Sequence, residues 1–292
     1  MSSFVPSAGI EPRVFLELGR VSNLPTVWSN VLAGMVLAGG WLAPAPLLVV
    51  LVAASAIYVG GMFLNDAFDA EIDARERPER PIPSGRIPRA AVFAIGFGLL
   101  ALGVLLLAAV NVLAALAGLA LAGAILVYDA WHKGNPLSPL LLGLCRVLFY
   151  LVAGFAAVAA PDQALWYGGG ALLAYLIGVT YLARQETLRG LRNLWPLAFL
   201  VVPLLYTLPA LGAGGLALLL WIGLAIWVIY ALSFVMGGGG MRNVRRTVAA
   251  LFAGIALLDG LLMAWAGAGA PALVAIGCFA LTLAGQRWVR GT

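Results

Sequence analysis

Six of the twelve acidic residues fall between positions 66 and 79, in the run Asn65-Asp66-Ala67-Phe68-Asp69-Ala70-Glu71-Ile72-Asp73-Ala74-Arg75-Glu76-Arg77-Pro78-Glu79. On a helix, Asp66, Asp69 and Asp73 fall within about 60° of one another, with Asn65 beside them and Glu71 on the far side. Three carboxylates on one stripe repel, and a divalent cation among them removes the repulsion. An all-oxygen set of this kind suits magnesium, which keeps waters and shares substrate phosphates. Spacing alone fits a solvated acidic helix end equally well. Against that reading, these residues close a long apolar segment, where ionisable groups are expensive and usually functional.

Arg75, Arg77, Arg80 and Arg86 follow directly, threaded through Arg-Pro-Glu-Arg-Pro-Ile-Pro-Ser-Gly-Arg at 77–86. Acids that hold a metal next to arginines that grip phosphate oxygens make a diphosphate site. The proline spacing predicts an extended loop lying over it. Each arginine taken singly is equally well explained as a cytoplasmic loop charge.

The elements that must position these residues are membrane helices. Of 292 residues, 63% are hydrophobic and 10% charged, against roughly 25% charged in soluble domains, which excludes a water-soluble globule. Cys145 and Cys278 both lie in apolar runs, so no disulfide framework or cysteine zinc site is available, and His132 alone cannot build a histidine-clustered metal site. The net charge of +5 fits a membrane's cytoplasmic face better than nucleic acid.

Runs long enough to cross about 30 Å of hydrocarbon occur at 21–40, 46–66, 90–109, 112–129, 137–159, 167–185, 194–211, 214–235, 247–267 and 270–288. With ten spans and both termini cytoplasmic, every one of the 17 Lys and Arg residues except Arg146 falls on one side, as the positive-inside rule requires. The expected fold is therefore an all-α integral membrane protein, a polytopic bundle of about ten (nine to ten) transmembrane helices. It forms a single domain over residues 1–292, set in a bacterial inner membrane. Glycine and alanine spread through the spans allow close helix approach.

Asn65-Asp66-x-x-Asp69-x-x-x-Asp73, followed by Arg77-Pro78-x-Arg80-Pro81-x-x-Ser84-Gly85, resembles the first aspartate-rich motif of the UbiA superfamily of intramembrane prenyltransferases. The resemblance implies that Asn65, Asp66, Asp69 and Asp73 bind diphosphate through Mg2+, with Asp66, Asp69 and Asp73 as metal ligands and catalytic residues, and Arg77 and Arg80 at the substrate. A Tyr and a Lys at the end of the family's fourth span match Tyr128 and Lys133, the latter as a phosphate contact. From the residues alone, Tyr128 reads as an interfacial aromatic and Lys133 as a loop charge.

The family's second aspartate-rich motif, at the end of the sixth span, is replaced here by Thr180-Tyr181-Leu182-Ala183-Arg184-Gln185-Glu186-Thr187-Leu188-Arg189-Gly190. This variant is similar to the UbiA-like branch encoded in Ebo-type clusters. The expectation is that Arg184, Gln185 and Glu186 form a second wall of the diphosphate site and that fewer magnesium ions are needed than the family's two. A tenth span is a further departure, since the family generally has nine.

Inside the bundle, Arg146 and Asp259 are the ionisable residues farthest from their helix ends, and the simplest expectation is a buried pair joining two spans. Asp129 could serve as a base or as an arginine partner, and Asn30 could face an acceptor or pack between helices. The function expected is transfer of a prenyl group from a polyprenyl diphosphate to an acceptor entering from the membrane or the cytoplasmic face. The competing classes are a membrane transporter using the acidic stripe as a cation site and a non-catalytic isoprenoid- or lipid-binding relative.

Overall fold

The computed structural model describes residues 11–184, 195, 197–236 and 240–289. Among them are twelve α-helices: α1 (Pro12–Leu18), α2 (Leu24–Leu37), α3 (Pro44–Glu76), α4 (Arg89–Val110), α5 (Val112–Trp131), α6 (Ser138–Ala157), α7 (Gln163–Arg184), α8 (Leu197–Tyr206), α9 (Ala210–Ala213), α10 (Gly215–Met236), α11 (Gly240–Trp265) and α12 (Gly269–Gly285). A 3-10 turn at Val21–Asn23 leads into α2. Helices α3, α4, α5, α6, α7, α10 and α11 are long and apolar enough to cross a membrane, while α8 and α12 are apolar but shorter. Each of the ten apolar stretches of the sequence thus contains a helix.

The ends of these helices sort into two groups. At one end Arg20 meets Asp66, Lys133 meets Asp69, Arg184 donates to the carbonyl of Asn135, and Gln286 donates to Asn23 and to the carbonyl of Ala249. At the other end Asn111 caps α5, accepting from the Ala114 amide, and donates to the carbonyls of Phe155 and Ala156 at the end of α6. The Asp162 amide bonds the Ala38 carbonyl there. The chain therefore alternates in direction as the ten-span reading requires. Helix α8 has Pro203 inside it, and the short α9 follows within a few residues. It nevertheless runs beside α7: the ring of Trp195 packs on Tyr181 near one end of α7, and Tyr206 packs on Tyr167 near the other.

Helix α3 is the element that sets up the site. Its 33 residues span about 50 Å at 1.5 Å each, well beyond the roughly 30 Å of a bilayer core. The apolar stretch ends near Leu64 and the same unbroken helix carries on through Asn65 to Glu76, so the carboxylates ride on its last turns. The connection that follows is not the extended segment its prolines predict. The amides of Ser84, Gly85 and Arg86 bond back to Arg80, Ile82 and Pro81, and Gly85 takes a positive φ of 76°. Prolines fix φ in turns as readily as in extended chain, and the backward hydrogen bonds select the turns.

Helix α2 is almost wholly buried, against α6, α11 and α12. Its contact with α6 depends on Gly34, where an added Cβ would lie 2.5 Å from the Tyr150 carbonyl oxygen. Since the obstacle is backbone, the helices must separate, and Gly34→Ala is expected to cost about 1–3 kcal/mol. Equilibrium unfolding in mixed detergent micelles measures this, with Gly98→Ala, which meets open space, as the neutral control.

Candidate active site

The stripe inferred from helical spacing is present: Asn65, Asp66, Asp69 and Asp73 are all buried on one face of α3, and Glu71 lies on the exposed side, where Arg89 pairs with it. Cations from three other segments converge on that face. Arg80, from the loop after α3, places Nη1 3.0 Å from Asp66 Oδ1 and 2.9 Å from Asp73 Oδ2. Arg20 donates from Nη2 to Asn65 Oδ1 at 3.0 Å and to Asp66 Oδ1 at 3.1 Å. Beyond the end of α5, Lys133 Nζ lies 3.2 Å from Asp69 Oδ2, and His132 Nε2 lies 3.4 Å from the same oxygen. The imidazole is oriented by its other nitrogen, 3.1 Å from the Tyr128 carbonyl oxygen, and by stacking on the Tyr128 ring.

Two of these residues belong to the site although the sequence marks them only weakly. Arg20 reads as one more basic residue before an apolar run, yet its backbone is left-handed, at φ 42°, the one positive value outside glycine among the described residues. That conformation costs roughly 1–2 kcal/mol for a residue with a Cβ, and its hydrogen bonds to Asn65 and Asp66 hold it in place. Burial by itself lowers the pKa of the Arg20 guanidinium, but Asp66, Tyr58 and Tyr128 reverse this, so that it lies above its ordinary value. His132 is the second, a neighbour of Asp69 whose solitary occurrence in the sequence argues only against a histidine cluster. No spacing signal could have found Arg20, because its contact depends on how α2 and α3 pack.

Among the described residues Asp129 is a partner neither to arginine nor to lysine. Its Oδ1 accepts from Asn65 Nδ2 at 3.1 Å, and its Oδ2 is buried with no hydrogen-bond partner among the described residues. Of the other expected site residues, Arg77 is half-buried and its side chain makes no hydrogen bond or ion pair with these carboxylates. Tyr128 makes no hydrogen bond to these carboxylates; it stacks on His132 and lies close enough to Arg20 to act on its charge. Arg184 holds the end of α7 to the Asn135 carbonyl at 3.1 Å, two residues from Lys133. Gln185 and Glu186 lie outside the described residues.

The oxygen set of Asp66, Asp69, Asp73 and Asn65, with the orphaned Asp129 oxygen behind it, is of the type that magnesium takes. Among the described residues no three acidic, histidine or cysteine side chains are drawn together as a metal-binding group. Here the carboxylates turn to Arg80, Arg20 and Lys133 instead.

Deeper in the bundle the expected pairing of Arg146 with Asp259 is corrected. Arg146 Nη1 donates to Thr26 Oγ1 and Asn30 Oδ1, both at 3.1 Å. Asp259 accepts from Ser29, Tyr150 and Asn30. Asn30 stands between the two charges, accepting from one and donating to the other, because α2 lies between α6 and α11.

The sequence model of the UbiA prenyltransferase family matches residues 27–241. The chain belongs to this family. A digeranylgeranylglyceryl phosphate synthase of Methanopyrus kandleri is 38% identical over 168 residues, covering 56% of this chain and 60% of that protein. One of Sulfolobus acidocaldarius is 28% identical over 190 residues, covering 62% and 64%. The alignment thus spans less than two thirds of either relative. Among solved structures, a digeranylgeranylglyceryl phosphate synthase superimposes with a TM-score of 0.63 at 21% identity, over 87% of this chain and 98% of that one. A UbiA homologue from Archaeoglobus fulgidus bound to GPP and Mg2+ gives 0.53 at 14% identity, over 93% and 99%. These likenesses carry the fold: the protein is an all-α integral membrane protein with the UbiA bundle.

Proposed function

We propose that this UbiA-family chain is an intramembrane prenyltransferase that moves a prenyl group from a polyprenyl diphosphate to a lipid-borne acceptor. The observation that carries the reading is the meeting of Asn65, Asp66, Asp69 and Asp73 with Arg20, Arg80 and Lys133 at one end of an otherwise apolar bundle. Buried carboxylates that meet two partly buried arginines and an exposed lysine suit an anion that arrives together with a divalent cation. The relatives named as digeranylgeranylglyceryl phosphate synthases support it, and so does the GPP- and Mg2+-bound homologue.

Asp66, Asp69 and Asp73 would hold Mg2+, which when bound withdraws charge from the leaving diphosphate. Arg80 exchanges its carboxylate contacts for phosphate oxygens, and Arg20, fixed by Asn65, stays charged at the inner edge. Lys133 neutralises a further oxygen and His132 keeps Asp69 in place. These groups stabilise the charge that builds on the diphosphate as the allylic C–O bond breaks. The apolar bundle below keeps water from the resulting carbocation, and the acceptor's nucleophile forms the new bond. Arg184, held at the end of α7, supplies a cation on that side, where the family's second acidic motif is replaced. The basic end faces the cytoplasm, with both termini on that side.

The test is radiolabelled geranylgeranyl diphosphate incubated with purified protein, Mg2+ and membrane lipid extract. A labelled lipid product that disappears on chelation of the metal is expected. Diphosphate binding with no product in any extract would favour the non-catalytic reading, and no binding at all would favour the transporter.

A further inference from the structure

The Arg146 side chain is 5% exposed and lies among α2, α3 and α6. Its Nη1 is fully used, by Thr26 and Asn30. Its Nε and Nη2 have no hydrogen-bond partner among the described residues, and neither is among the sealed, unpartnered atoms there, which are Ser22 Oγ, Asp129 Oδ2, Asn135 Nδ2 and Thr180 Oγ1. The Nε–Nη2 edge is therefore not sealed off by protein atoms. This edge carries the paired N–H groups that grip a carboxylate or phosphate bidentately. No carboxylate of the described residues takes it up: Asp259 accepts from Ser29, Tyr150 and Asn30 and is held one side chain away.

The position of that edge is as telling as its chemistry. The Arg146 guanidinium stacks over the Tyr58 ring, 5.4 Å from its centre, and the Tyr58 hydroxyl donates to the carbonyl oxygen of Arg20 at 3.3 Å. Arg20 in turn holds Asn65 and Asp66. Arg146 thus stands one aromatic ring inside the carboxylate cluster, on the bundle's apolar side. A guanidinium kept in an apolar interior with its fork unfilled is costly unless an anion completes it.

We propose that the Nε–Nη2 edge of Arg146 binds the anionic head group, a phosphate monoester or carboxylate, of the acceptor lipid, with Tyr58 and Asn30 holding the guanidinium in place. An acceptor anchored there lies beside the diphosphate site with its nucleophile toward the allylic carbon. The inference rests on the prenyltransferase reading, but its test is binding, so the two stand or fall separately.

The experiment measures affinities of purified protein in phosphatidylcholine nanodiscs for geranylgeranylglyceryl phosphate, for geranylgeranylglycerol, and for geranylgeranyl diphosphate with Mg2+. A bidentate charged contact predicts that wild type prefers the phosphate over the alcohol by about tenfold or more. In R146K, which keeps the charge and loses the fork, that preference collapses while diphosphate affinity stays within about twofold. Equal wild-type affinity for phosphate and alcohol overturns the proposal, and that comparison stands even if R146K does not fold. Equal weakening of diphosphate and lipid phosphate in R146K also overturns it and assigns Arg146 to the donor. A phosphate preference that R146K leaves intact reduces Arg146 to an interior structural contact. Retained Arg146-dependent preference without prenyl transfer would leave this site standing and remove the enzymatic reading instead.

Discussion

Asp66→Asn is expected to lower prenyl-transfer turnover by about 10²–10³ at saturating diphosphate and magnesium, the range seen when one charge-stabilising group is removed from a buried site. Asp66 is the carboxylate that meets two arginines, since a single oxygen accepts from both Arg20 and Arg80. The amide that replaces it is an uncharged, weaker ligand for a cation and carries no charge for either guanidinium. Arg20 keeps Asn65, and Arg80 keeps Asp73, so the helix end stays folded and the thermal midpoint should move little. Glu71→Gln is the matched control: it lies on the exposed face of the same helix, paired with Arg89, and its turnover should stay within about twofold of wild type because an exposed ion pair contributes little. Turnover of Asp66→Asn near that of wild type would remove Asp66 from the reacting centre.

Asp259→Leu should destabilise the bundle by about 3–5 kcal/mol, as expected when one side of a buried polar cluster is deleted. Tyr150 and Asn30 would be left with donors facing hydrocarbon, Ser29 would fall back on the Thr26 carbonyl, and Asn30 would still have to hold Arg146. The arrangement also predicts the pattern of coupling. In a direct ion pair, removing both charges recovers most of the loss. Here Asn30 mediates, so the Arg146→Leu and Asp259→Leu double variant should recover little, whereas Asn30→Leu alone should perturb both ends. Reversible unfolding in mixed micelles gives each value. Strong recovery in the double variant would mean that the two charges touch directly.

The amino-acid sequence determined the features that depend on local periodicity and composition. Ten apolar stretches specify membrane helices because hydrocarbon offers no hydrogen-bond partners and a helix satisfies its own backbone, and each contains a helix in the structure. The stripe of Asp66, Asp69 and Asp73 follows from helical spacing alone, so it was legible before any packing was known. What the sequence could not show is which cations meet that stripe. Arg77 and Arg80 look alike in a run of basic residues, but only Arg80 comes back over Asp66 and Asp73, because the loop turns instead of extending. Arg20 and Asp66 are 46 positions apart, and their contact exists only because α1 and α2 meet at a strained left-handed residue beside α3. The interior charges show the same limit. The sequence marked Arg146 and Asp259 as residues that must be neutralised, a requirement of any buried charge. Which group satisfies each was decided by α2 lying between their helices, and two-body arguments from sequence cannot anticipate a third helix that supplies Thr26 to Arg146, Ser29 to Asp259 and Asn30 to both.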